Sequence, residues 1–329
     1  MDRREFGRTF AGAAATAAFG ASRASFAQSA TGFPAQPIRL VVPLAAGTLT
    51  DTVARLIAEP MARDLGQPVV IENRGGANGN VAASYLKQQR PDGHAVLLSG
   101  VSMFAFNPFL YPSLAYDPAR DFTYIAPVVD TPFMLVASKQ SGITSVAQFL
   151  QRARARPGEL TFASAGNGNS THLAMEMVAA AADIRLTHVP YSAVSPLNSL
   201  LSGETDTMLS VMGSLLPHVR QGAVIPLAVL LERRAPDLPD VPTLREAGLQ
   251  APRMPGWYAL VGPAGMPEEP VQRLNAALQK ALHDATVRQR FRDLYLDPIA
   301  GSPATIRESF ERDSEVWGGF IRSRGLRLG

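Results

Sequence analysis

Two glycine-containing loops hold the residue types in this 329-residue chain that could bind or transform a ligand. The first, residues 46–51 (Ala-Gly-Thr-Leu-Thr-Asp), follows an apolar run at residues 38–43, and the second, residues 164–171, follows a similar run at residues 159–163. Each loop leads into a segment with helical periodicity, which predicts a strand, a loop and a helix in that order. Because open α/β sheets bind ligands at the carboxyl ends of their strands, both are predicted ligand-binding loops.

The same loops also contain the side-chain types of a hydrolytic triad. Ser164, His172 and Asp51 could act across a cleft as nucleophile, base and orienting carboxylate. However, the sequence lacks the G-x-S-x-G, H-E-x-x-H and phosphate-binding Gly-Lys-Ser/Thr motifs. The chain has no cysteine, and its five histidines do not lie at metal-ligand spacing. We therefore predict a non-enzymatic protein without a cofactor or a metal; a hydrolase that uses Ser164 and His172 is an alternative.

The elements that must position the two loops follow one plan in both halves of the chain. Strands are predicted at residues 38–43, 68–72, 94–99, 159–163, 186–189 and 205–211, with helices between them. The intervals between equivalent elements are unequal, which argues against a tandem repeat. The pattern instead predicts an α/β protein with two lobes of βαβ type and largely parallel strands.

Two segments with proline and glycine, residues 129–133 and 254–257, suit crossings of the chain between the lobes. We therefore predict that lobe one begins at residues 28–130 and that lobe two occupies residues 131–254. Residues 255–329 are predicted to return to lobe one and to end in helices.

The first 27 residues have the features of an export signal. Arg3 and Arg4 precede Phe6, which resembles a twin-arginine signal, and a stretch rich in alanine and glycine follows. Cleavage is predicted after Ala27, and the general secretory route remains an alternative. No later segment reaches the ~20 apolar residues of a membrane-spanning helix. The mature chain is therefore predicted to be free in the periplasm.

The charge balance gives no indication of a nucleic-acid partner. Four of the 31 basic and two of the 28 acidic residues lie within residues 1–27, which leaves 27 basic and 26 acidic residues. No basic block interleaved with aromatic residues occurs in that remainder. A hydrophobic content of 46% also excludes a disordered chain.

Many short motifs occur in the order known from one protein family. They lie at residues 37–43, 72–74, 91–93, 163–173, 188–191 and 239–243, together with Asp51 and Trp257. From residue 37 onward the chain thus resembles the Bug family of periplasmic solute receptors, the binding components of tripartite tricarboxylate transporters. The resemblance implies a type II periplasmic-binding-protein fold, whose two lobes close on a ligand about a double-crossover, Venus-flytrap hinge.

The resemblance also implies what the protein binds. A small organic carboxylate would lie in the interlobe cleft, held by backbone N–H groups, hydroxyls and bridging waters. The implied partners are the membrane components of such a transporter, with a sensor kinase as an alternative, and the receptor would be a monomer. Carried over by position, the ligand-binding residues are Leu44, Gly47, Thr48, Leu49, Thr50, Asp51, Ala165, Gly166, Asn167, Gly168, Thr171, His172 and Tyr191.

Three of these residues have a second interpretation. Asp51 could orient the binding loop, or it could stabilise the first turn of a helix through its charge, and the two roles are compatible. His172 could contact the ligand or make a structural hydrogen bond. Tyr191 could close over the cleft or pack in the interior.

Five positions depart from the family pattern. Thr48 and Leu49 stand where glycine and serine are usual, and Asn78 stands where glycine is usual, although asparagine tolerates left-handed backbone. Ser192 stands where lysine is usual, and Ser210 where aspartate is common. We therefore expect a smaller or less polar ligand than the usual dicarboxylate, such as a monocarboxylate with an aliphatic or aromatic body.

Overall fold

The computed structural model describes residues 32–191, 194–251 and 253–328, so the predicted export signal lies outside the described residues. In chain order, the strands are β1 (Ile38–Val42), β2 (Val69–Asn73), β3 (Ala95–Gly100), β4 (Phe122–Asp130), β5 (Phe133–Ser138), β6 (Thr161–Ser164), β7 (Thr187–Pro190), β8 (Thr207–Val211), β9 (Val224–Val229), β10 (Tyr258–Pro263) and β11 (Asp297–Pro298). The α-helices are α1 (Leu49–Leu65), α2 (Asn80–Lys87), α3 (Asn107–Leu110), α4 (Val146–Ala155), α5 (Ser170–Ala182), α6 (Pro196–Ser202), α7 (Met212–Arg220), α8 (Glu268–His283), α9 (Ala285–Asp293) and α10 (Pro303–Ser323).

The strands form two sheets, and we name each sheet with its covering helices a lobe. Lobe one contains the sheet β11-β4-β10-β3-β1-β2, and lobe two contains the sheet β7-β6-β8-β5-β9. The chain crosses from one sheet to the other twice, between β4 and β5 and between β9 and β10. The predicted α/β architecture of two lobes with a double crossover is confirmed, whereas the exact lobe boundaries stay a prediction.

Both sheets are mixed, so the prediction of largely parallel strands is wrong. Strand β1 is parallel to β2 and β3, and β6 is parallel to β7 and β8. In contrast, β10 is antiparallel to β3 and β4, and β5 is antiparallel to β8 and β9. The reason is the crossover: parallel strands end at the edge that faces the other lobe, whereas β5 and β10 begin there.

The two crossing segments are bonded to each other between the lobes. Thr131 Oγ1 donates to Gly256 O over 2.8 Å, and Gly256 N donates to Asp130 Oδ1 over 3.2 Å. A Cβ atom at residue 256 would overlap Thr131 O, so only glycine allows this close approach. The two crossing segments that form the hinge are therefore held together by these hydrogen bonds.

Local sequence signals explain how α1 reaches its position. Thr48 caps the helix by accepting a hydrogen bond from Asp51 N, and Gly66 ends it in left-handed conformation with φ of 72°. The side chains of Val53 and Ile57 share one fully buried face, which packs against the lobe-one sheet and α8. Burial of an aliphatic side chain of this size contributes about 1.5–3 kcal/mol. This packing fixes the direction in which the start of α1 points.

The buried apolar residues form three clusters. One lies under α1 and α8 in lobe one, another under α6 and α7 in lobe two, and the third contains residues of both lobes. Among the described helices, none is both long and apolar enough to cross a membrane.

Candidate functional site

A cavity of about 670 Å³ lies between the two sheets, at the edge where the parallel strands end. Lobe one lines it with residues 43–50 and 100–103, and lobe two with residues 169–171 and 194–197. None of the described residues that line it is charged. Its polar groups are therefore hydroxyls, side-chain amides and backbone groups, several of them at the starts of helices.

A second cavity, of about 390 Å³, lies on the outer side of the hinge. Its lining includes Asp130 and Arg253, which pair with each other, and Trp257. The indole Nε1 of Trp257 donates to the buried Asp313 over 2.7 Å. We take the larger cavity as the candidate site, because both lobes line it and the starts of α1 and α5 lie in its lining.

Asp51 organises the lobe-one loop but does not line the cavity. Its carboxylate accepts hydrogen bonds from Gly47 N at 3.0 Å and Asn73 Nδ2 at 2.9 Å, and Arg55 binds both carboxylate oxygens. Burial by itself raises the pKa of Asp51, but the hydrogen bonds of Arg55, Gly47 and Asn73 lower it to about 2. The two roles predicted for Asp51 thus coincide, since one side chain lies in the first turn of α1 and fixes the loop.

The loop presents both polar and apolar groups to the cavity. Thr48 Oγ1 donates to Ala45 O over 2.8 Å, and Thr50 Oγ1 donates to Tyr258 Oη over 3.1 Å. Leu49 lies between them, half-buried, and both lines the cavity and packs against the core cluster under α1. The start of α1 therefore offers hydroxyls and backbone beside an apolar wall.

Neutral side chains organise the corresponding loop of lobe two. Thr171 Oγ1 accepts a hydrogen bond from Ala165 N at 2.9 Å and donates to Asn169 Oδ1, the cap of α5, at 3.1 Å. Asn169 Oδ1 also accepts from Thr171 N. Gly168 N donates to His172 Nδ1 over 3.1 Å. These bonds position the start of α5 across the cavity from the start of α1.

Two stacked histidines support this loop from behind. The rings of His172 and His188 are 3.8 Å apart and nearly parallel, and Phe162 stacks on His188. Burial lowers the pKa of His172 to about 3, with the charge of His188 adding to the effect, and lowers the pKa of His188 to about 4. Both rings are therefore neutral near pH 7. His172 makes the structural hydrogen bond that was one of its two predicted roles, and contact of His172 with a ligand stays a prediction.

The hydrolytic triad considered from the sequence is not assembled. Ser164 Oγ lies 2.6 Å from His188 Nε2, not against His172, and Ser164 is fully buried. Asp51 belongs to lobe one, where Arg55 and Asn73 already occupy its carboxylate. Ser164 and His172 therefore both contact His188 in lobe two, whereas Asp51 belongs to a separate network in lobe one.

The predicted ligand-binding residues divide into two groups. The following predicted residues line the cavity: Leu44, Gly47, Thr48, Leu49, Thr50, Ala165, Thr171 and Tyr191. The others do not line it: Asp51, Gly166, Asn167, Gly168 and His172. Contact of any of these residues with a ligand stays a prediction.

Sequence reasoning missed lining residues that come from the crossing segments and from a π-helical turn at residues 102–106. Thr131, Phe133 and Tyr258 line the cavity beside the hinge, and Met103 lines it from the turn. The sequence signal for these residues is weak, because the crossing segments and the turn lack the pattern of a strand that is followed by a glycine-containing loop.

Hydrogen bonds between the described residues of the two lobes cross the cleft. Asn78 Nδ2 donates to Gly168 O over 3.0 Å, and Ser170 N donates to Ser102 Oγ over 3.1 Å. Asn78 has φ of 52° and ψ of 38°, so it adopts the left-handed conformation expected where asparagine replaces glycine. Its side chain thereby adds an interlobe contact that glycine could not make.

The chain is similar in sequence to proteins of one known family. A family model described as tripartite tricarboxylate transporter family receptor matches residues 53–326. The chain belongs to this receptor family. The receptor is also 31% identical over 302 residues to the protein BugT of Bordetella pertussis, covering 91% of this chain and 93% of BugT. The resemblance to the Bug family is therefore confirmed.

Solved structures share the fold of the receptor. A protein of R. palustris, solved with adipate, has a TM-score of 0.85 and 32% identity, covering 90% of the receptor and 100% of that chain. MatC from Rhodopseudomonas palustris, solved with bound malate, has a TM-score of 0.82 and 34% identity, covering 88% and 100%. The type II periplasmic-binding-protein fold is thus confirmed. Within the described part of the receptor, no group of three or more histidine, aspartate or glutamate residues could hold a metal ion.

Proposed function

We propose that the receptor binds one small organic carboxylate in the interlobe cleft and delivers it to the membrane components of a tripartite tricarboxylate-type transporter. One observation carries this proposal: the starts of α1 and α5 line the same cavity, and none of the described lining residues is charged. Such a site suits an anion that is held by oriented backbone groups.

The electrostatics of the two helices support an anionic ligand. The first N–H groups of a helix have no intrahelical partner, and each helix start carries roughly half a positive elementary charge. The buried charge of Asp51 does not cancel this field, because Arg55 neutralises it. Two helix starts that face one carboxylate can therefore bind it without a buried cation.

The relatives support the same ligand class, since two solved proteins of this fold contain adipate and malate. For the receptor we infer binding without turnover. A nucleophile would have to reach the ligand, and Ser164 is buried away from the cavity with its hydroxyl engaged by His188.

The cellular setting follows from the family. We infer a periplasmic location, cleavage of the export signal near Ala27, and a monomer in solution. Mass spectrometry of the secreted chain and sedimentation of the purified protein check these three inferences.

The decisive experiment is calorimetry and thermal unfolding of the chain from Gln28 with a panel of four- to six-carbon acids. A ligand at 100 times its Kd stabilises the folded state by about 2.7 kcal/mol, which is readable as a rise in Tm. The matched controls are the uncharged amides of the same acids, for which we expect no rise.

A pair of variants connects binding to the cleft. Thr171→Val removes the hydroxyl that accepts from Ala165 N, so we expect weaker carboxylate binding. Thr187→Val is the matched control, because Thr187 Oγ1 donates to Gly158 O away from the cavity. Stabilisation by sugars or cations and by none of the acids would contradict the proposed function.

A further inference from the structure

We propose that the hinge side of the cleft is a second subsite, formed by Ser210 and the start of α7, that binds an uncharged hydrogen-bonding group of the ligand. This inference rests on the proposed function, which supplies the carboxylate at the starts of α1 and α5. The subsite would recognise the opposite end of the same molecule, such as a hydroxyl or a keto oxygen.

The strand register places this subsite beside the lobe-two loop. Ala163 pairs with Met208 in parallel, so the strand register directs β8 toward Ser210 on the same side of the sheet as the loop that contains Ala165. Both Ala165 and Ser210 line the cavity. On the other side of Ser210, β5 begins with Phe133, which also lines the cavity. The subsite therefore lies between the carboxylate position and the hinge.

Within residues 32–191, 194–251 and 253–328, the hydroxyl of Ser210 has no hydrogen-bond partner. The residue is only 5% exposed and lines the cavity. Among the described residues, none makes a hydrogen bond with Ser210 Oγ, whereas Thr50 and Thr131, which are equally buried, both bond to neighbours. Ser210 Oγ is not among the fully buried side-chain atoms that lack a partner, so it is accessible from the cavity and can form a hydrogen bond there. A polar group of the ligand would supply the partner.

The start of α7 offers further donors at the same place. This nine-residue helix has no side-chain cap, and Met212 N donates to Pro132 O. Gly213 and Ser214 follow and line the cavity, and the first N–H groups of a helix have no intrahelical partner. A Cβ atom at Gly213 would overlap Leu294 O, so the C-terminal segment closes over this end of the cleft.

The chemistry of the walls favours an uncharged group over a second carboxylate. The starts of α1 and α5 already serve one anion, and the described lining contains no cation to offset a second one. Two carboxylates a few ångströms apart would repel each other strongly in such a site. Phe133 and Val211 add apolar surface around Ser210. A serine hydroxyl, in contrast, both donates to and accepts from a neutral oxygen.

The test is calorimetric titration of the wild-type mature chain with matched acids of four, five and six carbons. For each length the probes are the plain monocarboxylate, the ω-hydroxy acid, the dicarboxylate and the ω-amino acid. At the best length we expect the ω-hydroxy acid to bind roughly three- to tenfold more tightly than the plain acid, the gain of one hydrogen bond. We expect the dicarboxylate to bind more weakly than the ω-hydroxy acid.

Substitutions at Ser210 test whether this residue causes the difference in affinity between the ω-hydroxy acid and the plain acid. Ser210→Ala should bring the ω-hydroxy acid to the affinity of the plain acid, and Ser210→Asp should shift the preference to the ω-amino acid. Ser138→Ala is the matched control, because Ser138 is an equally buried serine of the same sheet that lies away from the cavity. It should leave every ratio unchanged.

Each outcome has one meaning. Wild-type protein that binds the dicarboxylate most tightly, or that binds the plain and ω-hydroxy acids equally, overturns the subsite and leaves the proposed function intact. The same holds if Ser210→Ala leaves the ratio unchanged. Absence of binding by all the acids overturns the proposed function and the subsite together.

Discussion

The receptor places the starts of two helices, α1 of lobe one and α5 of lobe two, at one cavity. Different chemical groups hold the loops before these two helices in position. In lobe one, the loop before α1 is tied to the buried carboxylate of Asp51, which Arg55 and Asn73 bind. In lobe two, the loop before α5 is tied to hydroxyl and amide groups and to the neutral ring of His172. The geometry presented to the ligand is similar, yet one support is ionic and the other is uncharged.

This difference predicts that the two supports fail at different pH. The pKa of Asp51 is lowered to about 2, so its contribution to stability is complete above pH 3.8 and is lost only as the pH falls toward 2. The pKa values of His172 and His188 are lowered to about 3 and 4, so their neutral pair stabilises the fold fully above pH 6.5. That contribution is lost as the pH falls from 6.5 toward 4. Acid should therefore weaken lobe two first.

The largest effect is expected from loss of the ionic support. Asp51→Ala leaves Gly47 N, Asn73 Nδ2 and Arg55 without their acceptor, and we expect the free energy of unfolding to fall by about 2–4 kcal/mol. Carboxylate binding should weaken as well, because the loop loses its position. Urea unfolding at pH 7 measures the first effect, and calorimetry measures the second.

Glu59→Ala is the matched control for this prediction. Glu59 also pairs with an arginine four residues farther along α1, but the pair is exposed, so we expect little change. If the two variants were equally stable, the buried carboxylate would not be the support of lobe one.

The next largest effect is the acid response of the histidine pair. Between pH 6.5 and 4 the stability of the wild-type protein should fall by up to about 1.4 kcal/mol per pH unit for each histidine. His172→Asn keeps an acceptor for Gly168 N without a titrating ring, so the slope should decrease. Urea unfolding at pH 5, 6 and 7 gives the slope.

His283→Asn serves as the control, because His283 is exposed at the end of α8. The comparison between the lobes would be wrong if His172→Asn and wild type had equal slopes, or if the control changed the slope as much.

A smaller effect is expected from loss of a hydrogen bond between the two lobes. Asn78→Gly keeps a residue that tolerates the left-handed backbone but removes the bonds of the side-chain amide to Gly168 O in lobe two and to Asn107 Oδ1 in lobe one. Loss of the interlobe bond should cost the closed arrangement of the lobes about 0.5–1.5 kcal/mol. Small-angle scattering of the ligand-free protein should then show a larger radius of gyration.

Asn80→Ala is the matched control for this variant. Among the described residues, the side chain of Asn80 bonds only to Asn107 and Tyr116, and all three residues lie in lobe one. An equal expansion in both variants would mean that the lobe-one network, and not the interlobe bond, holds the cleft closed.

The smallest effect concerns Leu49, the apolar residue at the start of α1. Leu49 is half-buried against its own core and contributes part of its surface to the cavity. Leu49→Ser should therefore weaken binding of a long aliphatic monocarboxylate by less than about 1 kcal/mol, and weaken binding of a shorter one by less. Calorimetry with butanoate and hexanoate checks this. Equal losses for both acids would show that Leu49 acts only through the position of the loop.

The sequence by itself determined the local elements of this protein. Periodicity predicted a strand at residues 38–43, found at Ile38–Val42, and a helix after the loop at residues 164–171, found at Ser170–Ala182. Glycine-containing loops at the ends of strands also located much of the cavity lining, from Gly47 to Thr50 and at Thr171. These features depend on neighbours within a few residues, through turn-forming glycines, helix caps and apolar spacing. A single sequence carries such signals directly.

Only the tertiary structure decided which distant groups meet. Thr50 bonds to Tyr258 across 208 residues of chain, and Asn78 bonds to Gly168 across 90. The same is true of Ser164, whose partner is His188 and not the nearer His172. No periodic pattern encodes such pairs, because they form only after the sheets have assembled and the chain has crossed twice between them. Side-chain direction and the angle between the lobes then select one partner from several chemically equivalent ones.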